Sequence, residues 1–563
     1  MRKIILFILF SMLYPQYPYL IDLYENSAFR EVTDGLSSNG VYDLEILNDS
    51  TIIIGTTGGL NIGYYDIQGN INFSHLTDGN LPEGGNPALA IQDYVIAVSG
   101  VVSVETSIGT QSKGTGVSYS VDGGESWDHM PQPMDSSHQN NSSYTNKWAC
   151  AWDTFDANSL YDSNFECNLN CADCAGNQKS CMMYDYISWG TQDSLLNFSV
   201  TTDIQNVSYG VAILGDYIYA ASWAGSLRRF NYSIENPVWE VVPLPMDSQT
   251  TLECNSIDMS SYQINPIGNY VDAGGCGYEF DNHKVFSVYS VEDTLWVGTA
   301  NGINKGVIDS ESCINWQHFT ADEFGFYDDW IIGFENQILE DGITNRLWAI
   351  TWDRQYSGSQ QIYGGPPSYT DDGGVTWNVS TELDNKNLLT YNISSSSGKV
   401  YVSSDQGLYF TANYETGDLW DTLVLPPEIS AQSIFDAEHM EFFDDIFIAT
   451  PQGVCVYDGE SFNCESSDGN IGKSFYAYPN PLNFNQTNQL TFVYSGEESN
   501  INGEIIIYDL AMDRVGRING EGVTRWDGNN DFGDRVTNGV YIAKYTHTSG
   551  DSHLFNVMVI NSK

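Results

Sequence analysis

The chain has 563 residues, with 73 acidic and 21 basic side chains and a formal net charge of -52 at pH 7. A surface of that sign repels phosphate backbones and anionic lipid, so nucleic acid is not expected as a partner. Apolar residues at 41% suffice for real cores, and 36 Tyr, 25 Phe, 14 Trp and 52 Gly favour strands over helices.

Met1-Arg2-Lys3 is a short positive start, and Ile4 to Tyr14 is an apolar run too short to span a bilayer. Residues 1–20 read as a secretory signal peptide, with the cut placed near Tyr17 to Leu20 and an uncleaved anchor as the alternative. The expected destination is secretion or the cell surface, by way of the periplasm. Ten cysteines suit an oxidising compartment: Cys150, Cys167, Cys171, Cys174, Cys181, Cys254, Cys276, Cys313, Cys455 and Cys464 are candidate disulfide partners. The crowded C-x3-C-x2-C at Cys167–Cys174 also resembles metal-ligand spacing, but it holds no His and disulfides are the preferred reading. Cys455 and Cys464 bracket two neighbouring strands and a turn, where a bridge would be a cross-strand staple.

From residue 21 to 472 one pattern recurs. An alternating apolar strand meets a small-residue step, then a turn and a second strand. It appears at Ile52, Tyr94, Tyr217, Leu295, Leu347, Val400 and Ile446, seven copies in all. Another apolar strand precedes most copies, such as Val41–Leu47, and a strand opened by Trp often follows. Four short antiparallel strands repeated about every 45 to 55 residues describe a β-propeller, here of seven blades. Two spacings are too long. Insertions at about 132–204 and 247–282 are loop-like in composition and are expected to project as disulfide-pinned excursions. Ring closure has two claimants for the outer strand of the last blade: the N-terminal "FREVTDGLSSN" and "SFNCES" from Ser461.

"SVDGGESW" (Ser120–Trp127) returns as "TDDGGVTW" (Thr370–Trp377) between the third and fourth strands of the second and fifth copies. Asp122 and Asp372 can accept backbone N–H groups in a tight turn, Gly124 and Gly374 can take positive φ, and Trp127 and Trp377 can plug between blades. With Ser120 and Thr370 these residues resemble the Asp-box of bacterial neuraminidase repeats, which implies a structural turn on a propeller rim. Gly35–Asn39, Val41, Ile52–Leu60 and Leu295–Ile303 resemble the propeller repeats of two-component regulator sensor domains.

At Ser474 the texture changes to alternating strands separated by turn clusters, which predicts a small Ig-like β-sandwich over 474–563. Tyr478–Pro481, Ile505–Leu510, Trp526–Gly528, Gly533, Asn538–Tyr541 and the last strand resemble the type A sorting domain of type IX secretion and the Ig-like domain of the flagellar hook-capping protein. The resemblance implies delivery by outer-membrane secretion machinery. Asp527–Asp534 offers oxygens for at most a weak structural calcium ion, without EF-hand spacing; no other cofactor is expected.

Catalytic constellations are missing. A sialidase needs an arginine cluster, and Arg30, Arg228, Arg229, Arg346 and Arg354 are scattered. Asp353, Asp328 and Asp329 lie beside aromatics and are weak candidates for acids or ligands, with blade-connecting loops as the plainer reading. The expected function is that of an exported, non-catalytic propeller binding a glycan, a peptide or the cell envelope. The alternative is a secreted glycoside hydrolase acting through loop carboxylates.

Overall fold

The computed structural model describes residues 31–560 except 107–108, 134–146, 151–180, 199–205, 259–261, 265–279, 310–312, 340–344, 354–362, 385–387, 412–418, 426–432, 468–473, 479–481, 485–488, 496–500, 510–513, 523 and 549–551. The signal-peptide segment, the side chains of Cys150, Cys167, Cys171, Cys174, Cys181 and Cys276, and that of Asp353 lie outside the described residues. Two compact units divide the chain: Met1–Leu425 with Ile429–Ser467, and Pro426–Glu428 with Asp468–Lys563.

In the first unit, seven sheets share one plan. Each starts with an inner strand and adds its antiparallel partners outward in chain order. The inner strands are Val41–Asn48, Leu89–Gln92, Ser208–Leu214, Val285–Val291, Trp330–Ile338, Thr390–Ser396 and Asp436–Met440. Each inner strand touches the next, and the last touches the first. Small sheets set face to face around a closed ring of inner strands define a β-propeller.

Burial explains the strand pattern. Thr51–Thr56 is buried at every residue because a second strand is covered on both faces by neighbouring sheets. The small-residue step is where those neighbours press closest. A side chain on Gly55 would overlap the Asn86 carbonyl, and a Cβ on Gly298 would stand 2.6 Å from the Ile331 carbonyl oxygen. The residue after the step staples the following turn: Thr56, Ser404 and Thr450 hydroxyls each donate to a carbonyl three residues on, at 2.8 Å.

The hydrophobic clusters span consecutive sheets. Trp127 of the second sheet packs with Ile53, Leu60 and Ile62 of the first. Trp377 of the fifth packs with Trp296, Ile303 and Phe319 of the fourth. Leu36, Val41 and Leu44 of the first meet Phe447, Ala449 and Val454 of the seventh. No single sheet owns a core, so the sheets are stable only together.

Of the two claimants for the outer strand of the last sheet, the N-terminal one is ruled out and the one from Ser461 holds. Glu31–Asp34 pairs with Ile71–Thr77 as a fifth, outermost strand of the first sheet, rather than completing the last one. Phe462–Glu465 is the outer strand of the seventh sheet, clipped to its neighbour by the Cys455–Cys464 disulfide. Closure runs instead through Asn39, whose carboxamide oxygen accepts the Ser467 N–H and hydroxyl at 2.8 and 2.7 Å.

The insertions are also not loops throughout. Lys147–Cys150, Cys181–Trp189 and Gln192–Phe198 form a sheet joined by Gln263–Ile264 of the second insertion. Its Trp189 and Leu195 are buried with Leu244, Leu252 and Tyr262, so apolar alternation was present under a polar composition. Cys254 pairs with Cys313, which ties the second insertion to the fourth sheet.

In the second unit, sheets of three and five strands enclose one core of Leu490, Phe492, Ile505, Ile507, Trp526 and Val557. Two sheets over a common core make a β-sandwich.

Candidate functional site

Bulges set what the propeller presents at one end of its central channel. In the first, third, fourth, fifth and sixth sheets the inner strand shifts register near its start, between Val41 and Asp43, Ser208 and Gly210, Val285 and Ser287, Ile331 and Gly333, and Thr390 and Asn392. The extra residues are Tyr42, Tyr209, Phe286, Ile332 and Tyr391, four of them aromatic. A bulge breaks the face-to-face alternation and re-aims its side chain. Here it turns the ring away from the contact between sheets.

These rings gather. Tyr391, Phe435 and Tyr42 form a run across the sixth, seventh and first sheets, with centroids 5.3 and 6.1 Å apart. Phe286 lies 5.0 Å from Trp223 and 5.5 Å from Trp330, and the two Trp rings are 6.0 Å apart. Tyr42 and Tyr209 are close enough that the Tyr209 hydroxyl adds to burial in raising the Tyr42 pKa. Unlike core aromatics, Tyr209 is 57% exposed and Tyr42 and Trp223 are each 38% exposed.

One residue deeper on the inner strands lie Asp43 and Asp436, and two residues beyond them Glu45, Glu335 and Glu438. Sheet register puts Glu45, Glu335 and Glu438 at matching positions, opposite Ile53, Trp348 and Phe447 of their second strands. Tyr289 holds the same position in the fourth sheet, opposite Trp296. Asp436 is buried at 1% exposure; the other four carboxyls keep partial exposure, which on an inner strand means the lumen.

Their electrostatics depart from the usual carboxylate range. Burial, then repulsion from Asp43, Asp436 and Glu335, pushes Glu45 well up. Burial, then Asp436, Glu45, Glu335 and Asp43, does the same to Glu438. Asp436 is raised by burial and by Asp43, although the N–H groups of Leu44 and Ala437, each at 2.8 Å, donate to it. Burial lifts Asp43 to about 6 against a 2.6 Å hydrogen bond from Leu89 N–H. Glu335 rises to about 7, again by burial, despite accepting from the Ser395 hydroxyl at 2.7 Å. Like charges held together off bulk water keep protons near neutrality. Such groups can exchange hydrogen bonds with a ligand and gain greatly from an added positive charge. Among the described residues, no group of three or more His, Cys, Asp or Glu converges closely enough to ligate a metal ion.

The described turn residues and acids singled out from sequence are engaged in local hydrogen bonds. At Ser120–Trp127, the Ser120 hydroxyl donates to Asp122 at 2.7 Å and accepts Gly124 N–H at 2.7 Å, while Ser126 donates to Asp122 through N–H and hydroxyl at 2.9 and 2.6 Å. Thr370, Asp372, Gly374 and Thr376 repeat the same four bonds. Gly124 and Gly374 sit at φ 86° and 95°. Asp329 accepts Ala321 N–H at 2.7 Å and Asp328 accepts Trp330 N–H at 3.4 Å, so both serve the turn that delivers Trp330. Buried Arg346 forks onto Asp371 at 2.6 and 2.8 Å, and buried Arg229 binds Glu240 at 2.9 Å, so neither joins a carboxylate-binding cluster. In the Asp527–Asp534 loop, Asn530 Oδ1 accepts the N–H of Phe532 and of Asp534, and Asp531 accepts Arg514 Nε at 3.0 Å. A depression of about 340 Å³ lined by Gly59, His75, Asp78 and Leu81 holds none of the channel carboxyls.

The channel set was missed in the sequence because each member is ordinary in its own strand. A signal existed: "VYDLEIL" and "DAEHM" place two acids at alternate positions of an inner strand.

No family model and no curated protein matches the chain. Among solved structures it is similar to PorZ, a surface component of the type-IX secretion system of Porphyromonas gingivalis, at 14% identity and TM-score 0.27, covering 91% of this chain and 69% of that one. YCF48 bound to D1 peptide matches at 11% and TM-score 0.37, over 77% and 96% of the two chains. The extracellular domain of BT4673 from B. thetaiotaomicron matches at 11% and TM-score 0.20, over 92% of each. The propeller assignment rests on the sheets and their cyclic contacts.

Proposed function

We propose that the chain is an exported, non-catalytic, seven-bladed propeller that binds its ligand at the aromatic mouth of the central channel. Its C-terminal sandwich acts as an Ig-like sorting module read by outer-membrane secretion machinery. One observation carries the binding reading: five bulges at the same strand position hold four aromatic rings at the mouth, two of them among the exposed large hydrophobics. Exposed aromatics gathered around a recess are the usual currency of recognition. The repeated turns at Asp122 and Asp372 are structural, since their oxygens are consumed within the turn.

The test is calorimetric titration of the protein with a panel of glycans and peptides. A ligand whose binding falls with Tyr209→Ala supports the mouth. Turnover of a polysaccharide would overturn the non-catalytic reading in favour of a glycan-cleaving enzyme, with Glu335 and Asp43 the first acids to replace. For delivery, removal of Ser474–Lys563 is expected to leave the product in the periplasm; normal surface display would sink the sorting role.

A further inference from the structure

Resting on that binding site, we infer that the mouth and the carboxyls beneath it take a basic side chain, Lys or Arg, from a partner polypeptide. The argument is one of layers. Tyr42, Tyr209, Tyr391 and Phe435 present rings at the opening, and a cation over an aromatic face is attracted by the ring quadrupole. The collar already holds one such pair: Lys284 Nζ lies 5.4 Å from the Trp223 ring centre while bound to Asp281 at 2.7 Å.

Depth selects the ligand. Along an inner strand the carboxyls of Asp43 and Glu45 follow Tyr42 by one and three residues, roughly 3 to 10 Å at strand rise. A Lys or Arg side chain carries its charge at the end of a slim apolar stem. The stem would pass the rings and the charged head would reach the acids. An amino sugar bears its amine directly on the ring, so the whole ring would have to enter. The occupant also satisfies what the site lacks. Five carboxyls gather there, and repulsion from Asp43, Asp436 and Glu335 at Glu45, and from Asp436, Glu45, Glu335 and Asp43 at Glu438, opposes their ionisation. The side of the ring formed by Ile91 and Ala212, which register sets level with Glu45, is apolar and suits the stem.

The probe is pentalysine, with fully acetylated pentalysine as its neutral twin, titrated calorimetrically into the intact protein. Pentalysine binding is expected, with the acetylated peptide at least ~10-fold weaker. Glu335→Gln combined with Glu45→Gln should weaken pentalysine ~10-fold or more. Tyr209→Ala should weaken it ~2–5-fold, the range of an exposed cation–π contact, while Tyr209→Phe keeps it. Because Tyr209 is exposed, its variants report on the mouth even if the paired acid variant folds poorly. Pentalysine binding untouched by these changes would mean a general attraction to the acidic surface and would overturn the inference. Binding of acetylated pentalysine or of a glucosamine oligomer, but not of pentalysine, weakened by Tyr209→Ala, would overturn the basic side chain yet leave the mouth as the site. Every detectable ligand being indifferent to Tyr209→Ala would remove the mouth itself.

Discussion

Aspartates at two places in the propeller carry opposite electrostatics. Burial alone would raise the pKa of Asp122, but hydrogen bonds from Ser126 and Ser120 outweigh it and hold the carboxyl below its usual value; Asp372 repeats this with Thr376 and Thr370. Asp43 and Asp436 also receive N–H donors, yet burial pushes both up, and at Asp436 repulsion from Asp43 adds to it. The donors differ little between the two places. What differs is burial first and company second: the turn carboxylates are exposed beside their donors, whereas the channel carboxyls are withdrawn from bulk water and, at Asp436, stand against a like charge. A turn thus uses the charge of Asp for stability, and the channel holds charge that the fold must tolerate.

That contrast can be broken in several ways. The largest expected effect is at the turn's anchor: Trp377→Ala should cost roughly 3–5 kcal/mol in denaturant unfolding, since the ring is buried between two sheets. Asp372→Ala should cost about 1.5–3 kcal/mol by stranding the Thr370, Thr376 and backbone donors. A loss under ~0.5 kcal/mol would make the turn dispensable.

The channel should behave with the opposite sign. Glu335 has its pKa raised to about 7 in the fold, so the native state keeps a proton the unfolded chain releases. Its stabilising share is present below the unfolded value and is lost as pH rises through about 7. Glu335→Gln cannot ionise, and at pH 8 should be more stable than the parent by about 1–2 kcal/mol, allowing for partial lumen exposure. At pH 5 the gain should vanish. The turn carboxylates, lowered in the fold, lose their contribution only as pH falls below about 4. Thermal unfolding should therefore peak on the acid side of neutrality, and Glu335→Gln should flatten its descent between pH 5 and 8; a parent protein steadily stabilised over that range would contradict the channel assignment. Around Glu335 the titrating neighbours are Glu45, Glu438 and Tyr289. The smallest change is expected from Tyr209→Ala, within about 0.5 kcal/mol in stability, because its ring is exposed. A large loss there would mean that the mouth is packing rather than a surface for a ligand.

The strand-rich repeat was legible because it is written in short-range terms. Alternation, the small-residue step and turn residues such as Gly55, Thr56 and Gly59 each act within a few positions. The insertions were harder, since polar and Asn-rich flanks hid the strands Cys181–Trp189 and Gln192–Phe198, whose partner Gln263–Ile264 lies more than sixty residues on. Ring closure was ambiguous for a similar reason: two segments had equal claim to an edge, and pairing with Ile71–Thr77 decided it.

By itself the sequence determined a chain built of strands, small repeated sheets, tight turns and a strongly acidic character, because strand alternation and turn hydrogen bonds are settled between near neighbours. Only the tertiary structure decided that Asp43 and Asp436, whose carboxyl accepts the N–H of Leu44 from 392 positions away, belong to one centre with Glu45, Glu335 and Glu438. A closed ring brings the same position of distant repeats to one axis, and no local rule says which repeats carry acids there. Desolvation and mutual repulsion, which set what those acids can do, begin only once the ring has closed.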